Sequence, residues 1–259
     1  MSSGVIVWLL VALAALANLA GGALITGRRG WSRSGLLKLT ALSAGFLLAV
    51  ALLDLLPEAL EAGRHAALWV LLGFGLVYLF ERMFTSHFHF GEETHNVRGV
   101  GTAAGAWAGL VIHTFFDGLA IVAAFVIDWR IGFLVFMGVI LHKLADGVTM
   151  ASVALACHRS PRVALAACAT LVLATVAGGL SLPVVTAFMP QVVTAGPAAW
   201  SPAAVALALS AGAFIYVAAT DLLPLVNEAA LPLAPLLVAS GAGAFYLLSH
   251  VLSLVGLGH

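Results

Sequence analysis

Charge is scarce in this chain: of 259 residues only 8% are Asp, Glu, Lys or Arg, and the net charge is zero. A water-soluble domain of this size carries roughly a quarter charged residues. A soluble globular fold is therefore excluded, and most of the surface must meet lipid or other helices. Without a basic excess, nucleic acid is not an expected partner. Cysteine is also sparse. Cys157 and Cys168 are too few for a disulfide framework or a thiolate metal cage, and both read as small apolar side chains. No G-x-x-x-x-G-K-[ST] phosphate loop occurs, which argues against a nucleotide-driven pump. The segment Met1–Gly4 lacks a basic n-region, and the apolar run Val5–Ile25 exceeds a signal h-region. It is expected to be a retained membrane helix.

What the chain has instead is apolar length: 63% of residues are hydrophobic, and the mean hydropathy is +1.12. Spanning a bilayer takes roughly 20 apolar residues. Runs of that length, divided by Gly, Pro or charge, predict an all-α polytopic membrane protein forming a single transmembrane domain over 1–259. Its eight helices are expected at about 4–26, 35–57, 66–86, 100–127, 131–157, 163–189, 203–225 and 232–255. Asp128-Trp129-Arg130 marks the turn between the fourth and fifth. Arg28, Arg29, Arg33, Lys38, Arg82, Arg98, Arg159 and Arg162 fall on one side, and only Arg64 and Arg130 on the other. The positive-inside bias makes the first side cytoplasmic, so both termini are expected outside a cell (inner) membrane.

An internal repeat suggests the arrangement of those helices. Ser43-Ala44-Gly45 opens a stretch closing with Asp54-Leu55-Leu56-Pro57, and Ser210-Ala211-Gly212 opens one closing with Asp221-Leu222-Leu223-Pro224. A shorter repeat sets His113-x-x-x-Asp117-Gly118 against His142-x-x-x-Asp146-Gly147. The first relates helix 2 to helix 7 and the second helix 4 to helix 5, pairs that run in opposite directions. Three helices, a central pair and three more then form an inverted-topology repeat, whose site is expected near the bilayer midplane.

The chemistry falls in that central pair. His113 and Asp117 stand one turn apart on one helical face, as do His142 and Asp146. Ionisable groups at mid-bilayer depth cost about 2.5–3.5 kcal/mol each on insertion scales, so they need partners. Two imidazoles and two carboxylates together suit a borderline divalent ion. Gly101, Gly105 and Gly109 continue the His113 face, and Gly138 continues that of His142, which allows close helix packing. Lys143, also at depth, reads either as a cation filling a second ion position or as a snorkelling or paired structural lysine. Asp54, Glu58 and Asp221 near helix ends are pathway candidates able to concentrate cations. His87, His89 and His95, with Glu92 and Glu93, form a metal-collecting segment after helix 3.

On these residues the chain resembles the ZIP (ZRT/IRT-like) family of divalent metal transporters, as a divergent prokaryotic-type member. Ser43–Glu58 is similar to that family's second helix, His113–Gly118 to its H-N-x-P-E-G signature, His142–Gly147 to its H-x-x-P-E-G signature, and Ala211–Pro224 to its seventh helix. The resemblance implies uptake of Zn²⁺, with Fe²⁺, Mn²⁺, Co²⁺ and Cd²⁺ as alternatives, into the cytoplasm. It also implies a homodimer, no catalysis, and no cofactor beyond the transported ion. This chain departs from the pattern at Asp117 and Asp146, where the family has Glu, and at Phe116 and Ala145, where it has Pro. Thr114 replaces Asn, Lys143 stands where many members have a metal-binding acid, and Leu182 replaces an acid that some members carry. These losses fall on the second position of a two-metal centre, so a single ion is expected at His113, Asp117, His142 and Asp146. Two rival readings use the same residues: an intramembrane metal-dependent hydrolase, and a proton-coupled small-solute carrier.

Overall fold

The computed structural model describes residues 2–27, 33–61, 65–84, 100–158, 160–188, 201–229, 231 and 233–256. Among these residues every regular element is helical. In chain order they are α1 (Ser3–Thr26), α2 (Arg33–Ala49, a π-helical turn Val50–Leu55, then Leu56–Glu61), α3 (Ala66–Phe84), α4 (Val100–Ile127), α5 (Trp129–His158), α6 (Pro161–Phe188), α7 (Pro202–Tyr216, a π-helical turn Val217–Leu222, then Leu223–Glu228) and α8 (Ala234–Leu254). Seven are long and apolar enough to span a membrane, and the apolar part of α3, Ala66–Glu81, is shorter. The chain is an all-α polytopic membrane protein.

Helices α2 and α7 run on past Pro57 and Pro224, to Glu61 and Glu228, beyond the ends expected at about 57 and 225. A proline lacks the N–H of the helical ladder, and its ring crowds the carbonyl four residues back. Both helices widen just before it. The N–H of Leu56 reaches the Ala51 carbonyl and that of Leu223 reaches the Ala218 carbonyl, each five residues back. Such a π turn lets a helix continue with a local change of direction. The two turns occupy matching positions of the long repeat and end on Asp54-Leu55 and Asp221-Leu222.

The apolar spans of α2, α4, α5 and α7 are 67–72% buried, against 28% for α1 and 11% for α8, so the former build the core and the latter face outward. Glycines set the close contacts. A Cβ at Gly118 would strike the Thr175 carbonyl oxygen on α6, and one at Gly147 the Asn18 carbonyl oxygen on α1. In the long repeat, Gly45 meets the Val238 carbonyl on α8 and Gly212 the Val70 carbonyl on α3. Backbones in membranes approach this closely only over small residues. Between α4 and α5, the Asp128 carboxylate accepts from the Ile131 N–H at 3.0 Å and caps α5. This cap fixes how the two motif-bearing helices follow each other.

Candidate metal centre

The one-turn spacing on α4 and α5 brings the four motif side chains together. His113, Asp117, His142 and Asp146 are all buried, and one ligand atom from each lies within 4.8 Å of the other three. His113 Nε2 stands 3.6 Å from Asp117 Oδ2 and 3.5 Å from Asp146 Oδ2. His142 Nε2 stands 3.5 and 3.9 Å from the same two atoms. Donors on a tetrahedral ion with bonds near 2.05 Å would be about 3.3 Å apart. The four His–carboxylate distances lie within about 0.6 Å of that spacing, and the remaining pairs, which lie within 4.8 Å, have further to close on an ion.

The protonation pattern suits the same purpose. His142 Nδ1 lies 2.9 Å from the Gly138 carbonyl oxygen. A carbonyl only accepts, so Nδ1 carries the proton and, in the neutral ring, the Nε2 lone pair faces the cluster. Metal-binding histidines are commonly held this way by their second nitrogen. Gly138 thus contributes its carbonyl, whereas a Cβ there would make only ordinary van der Waals contacts with Phe46, Leu47 and Val50. His113 Nδ1 and Nε2, His142 Nε2, Asp117 Oδ1 and Asp146 Oδ2 have no hydrogen-bond partner. Buried polar atoms left so cost free energy unless something satisfies them.

Lys143 is fully buried, the largest side chain among the described residues to be so, and its Nζ lies 3.0 Å from Asp117 Oδ2. It therefore does not snorkel. Its ammonium enters the cluster and pairs with one of the four candidate ligands.

Beside the cluster is a small cavity of about 20 Å³, enough for one water or a bare ion. Its polar lining is Glu81, His113, Asp146, Thr149 and Asp221. Asp221, a sequence-stated pathway candidate, is thus brought to the centre. Glu81 was missed by the sequence reading. It is buried on α3, where Tyr216 donates to its Oε2 at 2.8 Å. Asp54 is turned elsewhere: Arg130 Nη1 lies 3.4 Å from its Oδ1 and 2.8 Å from Ser249 Oγ. Glu58 is half-buried one turn further along α2. Leu182 is buried, so the side chain at that position of α6 is apolar. His87, His89 and His95 lie outside the described residues.

Buried imidazoles and carboxylates gathered at one point within a bundle of membrane-length helices define a membrane protein built round an ion-sized polar site. The family model described as ZIP Zinc transporter matches residues 3–106 and 92–249, and the chain belongs to that family. No curated protein matches the sequence significantly. The protein is a divalent metal transporter and not an enzyme. That sets aside the hydrolase and organic-solute readings.

Proposed function

We propose that this protein carries Zn²⁺ or a closely related ion into the cytoplasm, one ion at a time, with His113, Asp117, His142 and Asp146 as its ligands. The observation that carries the reading is the convergence of four buried donors within 4.8 Å. Imidazole and carboxylate without thiolate suit Zn²⁺, Fe²⁺ and Mn²⁺, and a site without sulfur holds its ion weakly enough to release it. Lys143 occupies the position of a second ion.

The helices are arranged as three, a central pair and three, related by inversion. Support comes from the glycine contacts. Repeat partners Gly118 and Gly147 pack α4 on α6 and α5 on α1, and partners Gly45 and Gly212 pack α2 on α8 and α7 on α3. An exchange of the two halves maps each pair onto the other. Alternating access about a fixed site is the motion such repeats provide. The cavity bordered by Glu81 and Asp221 then serves as the cytoplasmic release path. Asp54 and Glu58 belong to the opposite mouth, and His87, His89 and His95 receive ions on the cytoplasmic side.

Reconstituted liposomes provide the test, with influx of Zn²⁺, Mn²⁺, Fe²⁺, Co²⁺ and Cd²⁺ followed beside His113→Ala and Asp146→Ala. Saturable influx abolished by both substitutions is the expected result. Influx that survives both would place the ligands elsewhere.

A further inference from the structure

The closed packing of Lys143 against a candidate ligand has a consequence for how the empty transporter resets. Asp117 divides its oxygens. Oδ2 takes the Lys143 ammonium at 3.0 Å, while Oδ1 has no hydrogen-bond partner. An arriving ion therefore meets a carboxylate already balanced by a cation that belongs to the chain. Neither Lys143 nor Asp117 has measurable exposure, so water does not screen the pair.

The side chains gathered at the site are two carboxylates, two imidazoles and one ammonium. With none or one of the imidazoles protonated, the ammonium offsets a carboxylate in the empty cluster and adds one positive charge to the loaded one. The self-energy of a charged cluster in a low-dielectric interior grows with the square of its net charge, so losing the ammonium makes the empty state costlier and the loaded state cheaper. An alternating-access carrier must reorient both with and without its ion. A site that is cheap only when loaded binds tightly and returns slowly. Lys143 lowers the cost of the empty state relative to the loaded one.

Resting on the metal-transport reading above, we propose that Lys143 is a tethered counter-cation: it lets the ion-free site change access, so the carrier resets without a second transported cation.

The test uses the full chain in liposomes with Zn²⁺ as the probe, and compares net influx into metal-free vesicles with exchange into vesicles preloaded with Zn²⁺. Exchange requires only that the loaded site reorient, whereas net influx also requires the empty site to return. Lys143→Met is expected to lower the ratio of net influx to exchange about tenfold and to lower the KM by a similar factor. Lys143→Met/Asp117→Asn removes the ammonium and one carboxylate together, so the empty cluster keeps the parent's net charge, and it is expected to bring the ratio back toward that of the parent although it weakens one ligand. The ratio does not depend on how much protein folds. An unchanged ratio in Lys143→Met, whether both rates fall together or both match the parent, would overturn the proposal. So would a ratio in the double variant as low as in the single one. Failure of the underlying reading looks different: the parent itself would show no saturable Zn²⁺ influx, and the proposal would fall with it.

Discussion

Asp54 and Asp221 hold the same place in two π-helical turns, yet Asp54 faces Arg130 at 3.4 Å while Asp221 lines the cavity beside His113. On the proposed inverted repeat, equal local structure in unequal surroundings corresponds to one of its two sides being shut. On the proposed mechanism, Arg130 helps to hold the Asp54 side closed by joining α5 to α2 and, through Ser249, to α8. The pair is partly exposed, with Arg130 at 24%, so its contribution is modest. Asp54→Asn and Arg130→Gln are each expected to destabilise this state by about 0.5–1 kcal/mol, and the double variant by less than their sum. Thermal unfolding in detergent, arranged as a double-mutant cycle, measures the coupling.

The motif glycines give a second prediction. Because a Cβ at Gly118 or Gly147 would meet a backbone carbonyl oxygen, α4 must part from α6, or α5 from α1, to admit one. Alanine at either position is expected to cost about 1–3 kcal/mol and to lower the unfolding temperature. Gly75 is the control, since a Cβ there meets nothing within 4 Å. Gly75→Ala is expected to be neutral or slightly stabilising, by up to roughly 1 kcal/mol.

Ion binding is expected to stabilise the fold by linkage. Zn²⁺ at about a hundredfold over its dissociation constant adds about 2.7 kcal/mol, read as a rise in the unfolding temperature. Asp146→Asn and His142→Gln are expected to remove most of that rise. A chelator is expected to reverse it in the parent protein.

On the proposed release path, Glu81 and Asp221 bear on release instead of capture. Replacing either, as Glu81→Gln or Asp221→Asn, removes a carboxyl group from the cavity next to the site. Maximal influx is expected to fall by roughly three- to tenfold, within the range over which a charged cleft alters ion concentration. Tyr216→Phe, which leaves the Glu81 carboxylate in place but removes its 2.8 Å hydrogen bond, is expected to do less. Initial rates at saturating Zn²⁺ distinguish the variants.

Much of this site is legible in the sequence because helical geometry ties spacing to position. His113 with Asp117, and His142 with Asp146, must share a face, and their depth in apolar runs requires that they find polar partners there. The partner of Lys143 is not legible in the same way, since a lysine beside His142 on a helix can reach several neighbours. Its choice of Asp117 depends on how α4 crosses α5. Glu81 escapes notice because an acid near a helix end, next to Arg82, reads as an ordinary interfacial residue. Tyr216 of α7, distant in sequence, donates to it there. The π turns have a signal in hindsight: Pro57 and Pro224 at one register of a repeat, followed by residues that can stay helical.

Metal coordination tests the central claim most directly. X-ray absorption at the zinc edge of the purified, Zn²⁺-loaded protein reports ligand type and distance. The account predicts two imidazole nitrogens and carboxylate oxygens at about 2.0–2.2 Å with no sulfur, and loss of the imidazole signal in His113→Ala/His142→Ala. Sulfur ligation, or an unchanged spectrum in that double variant, would contradict it.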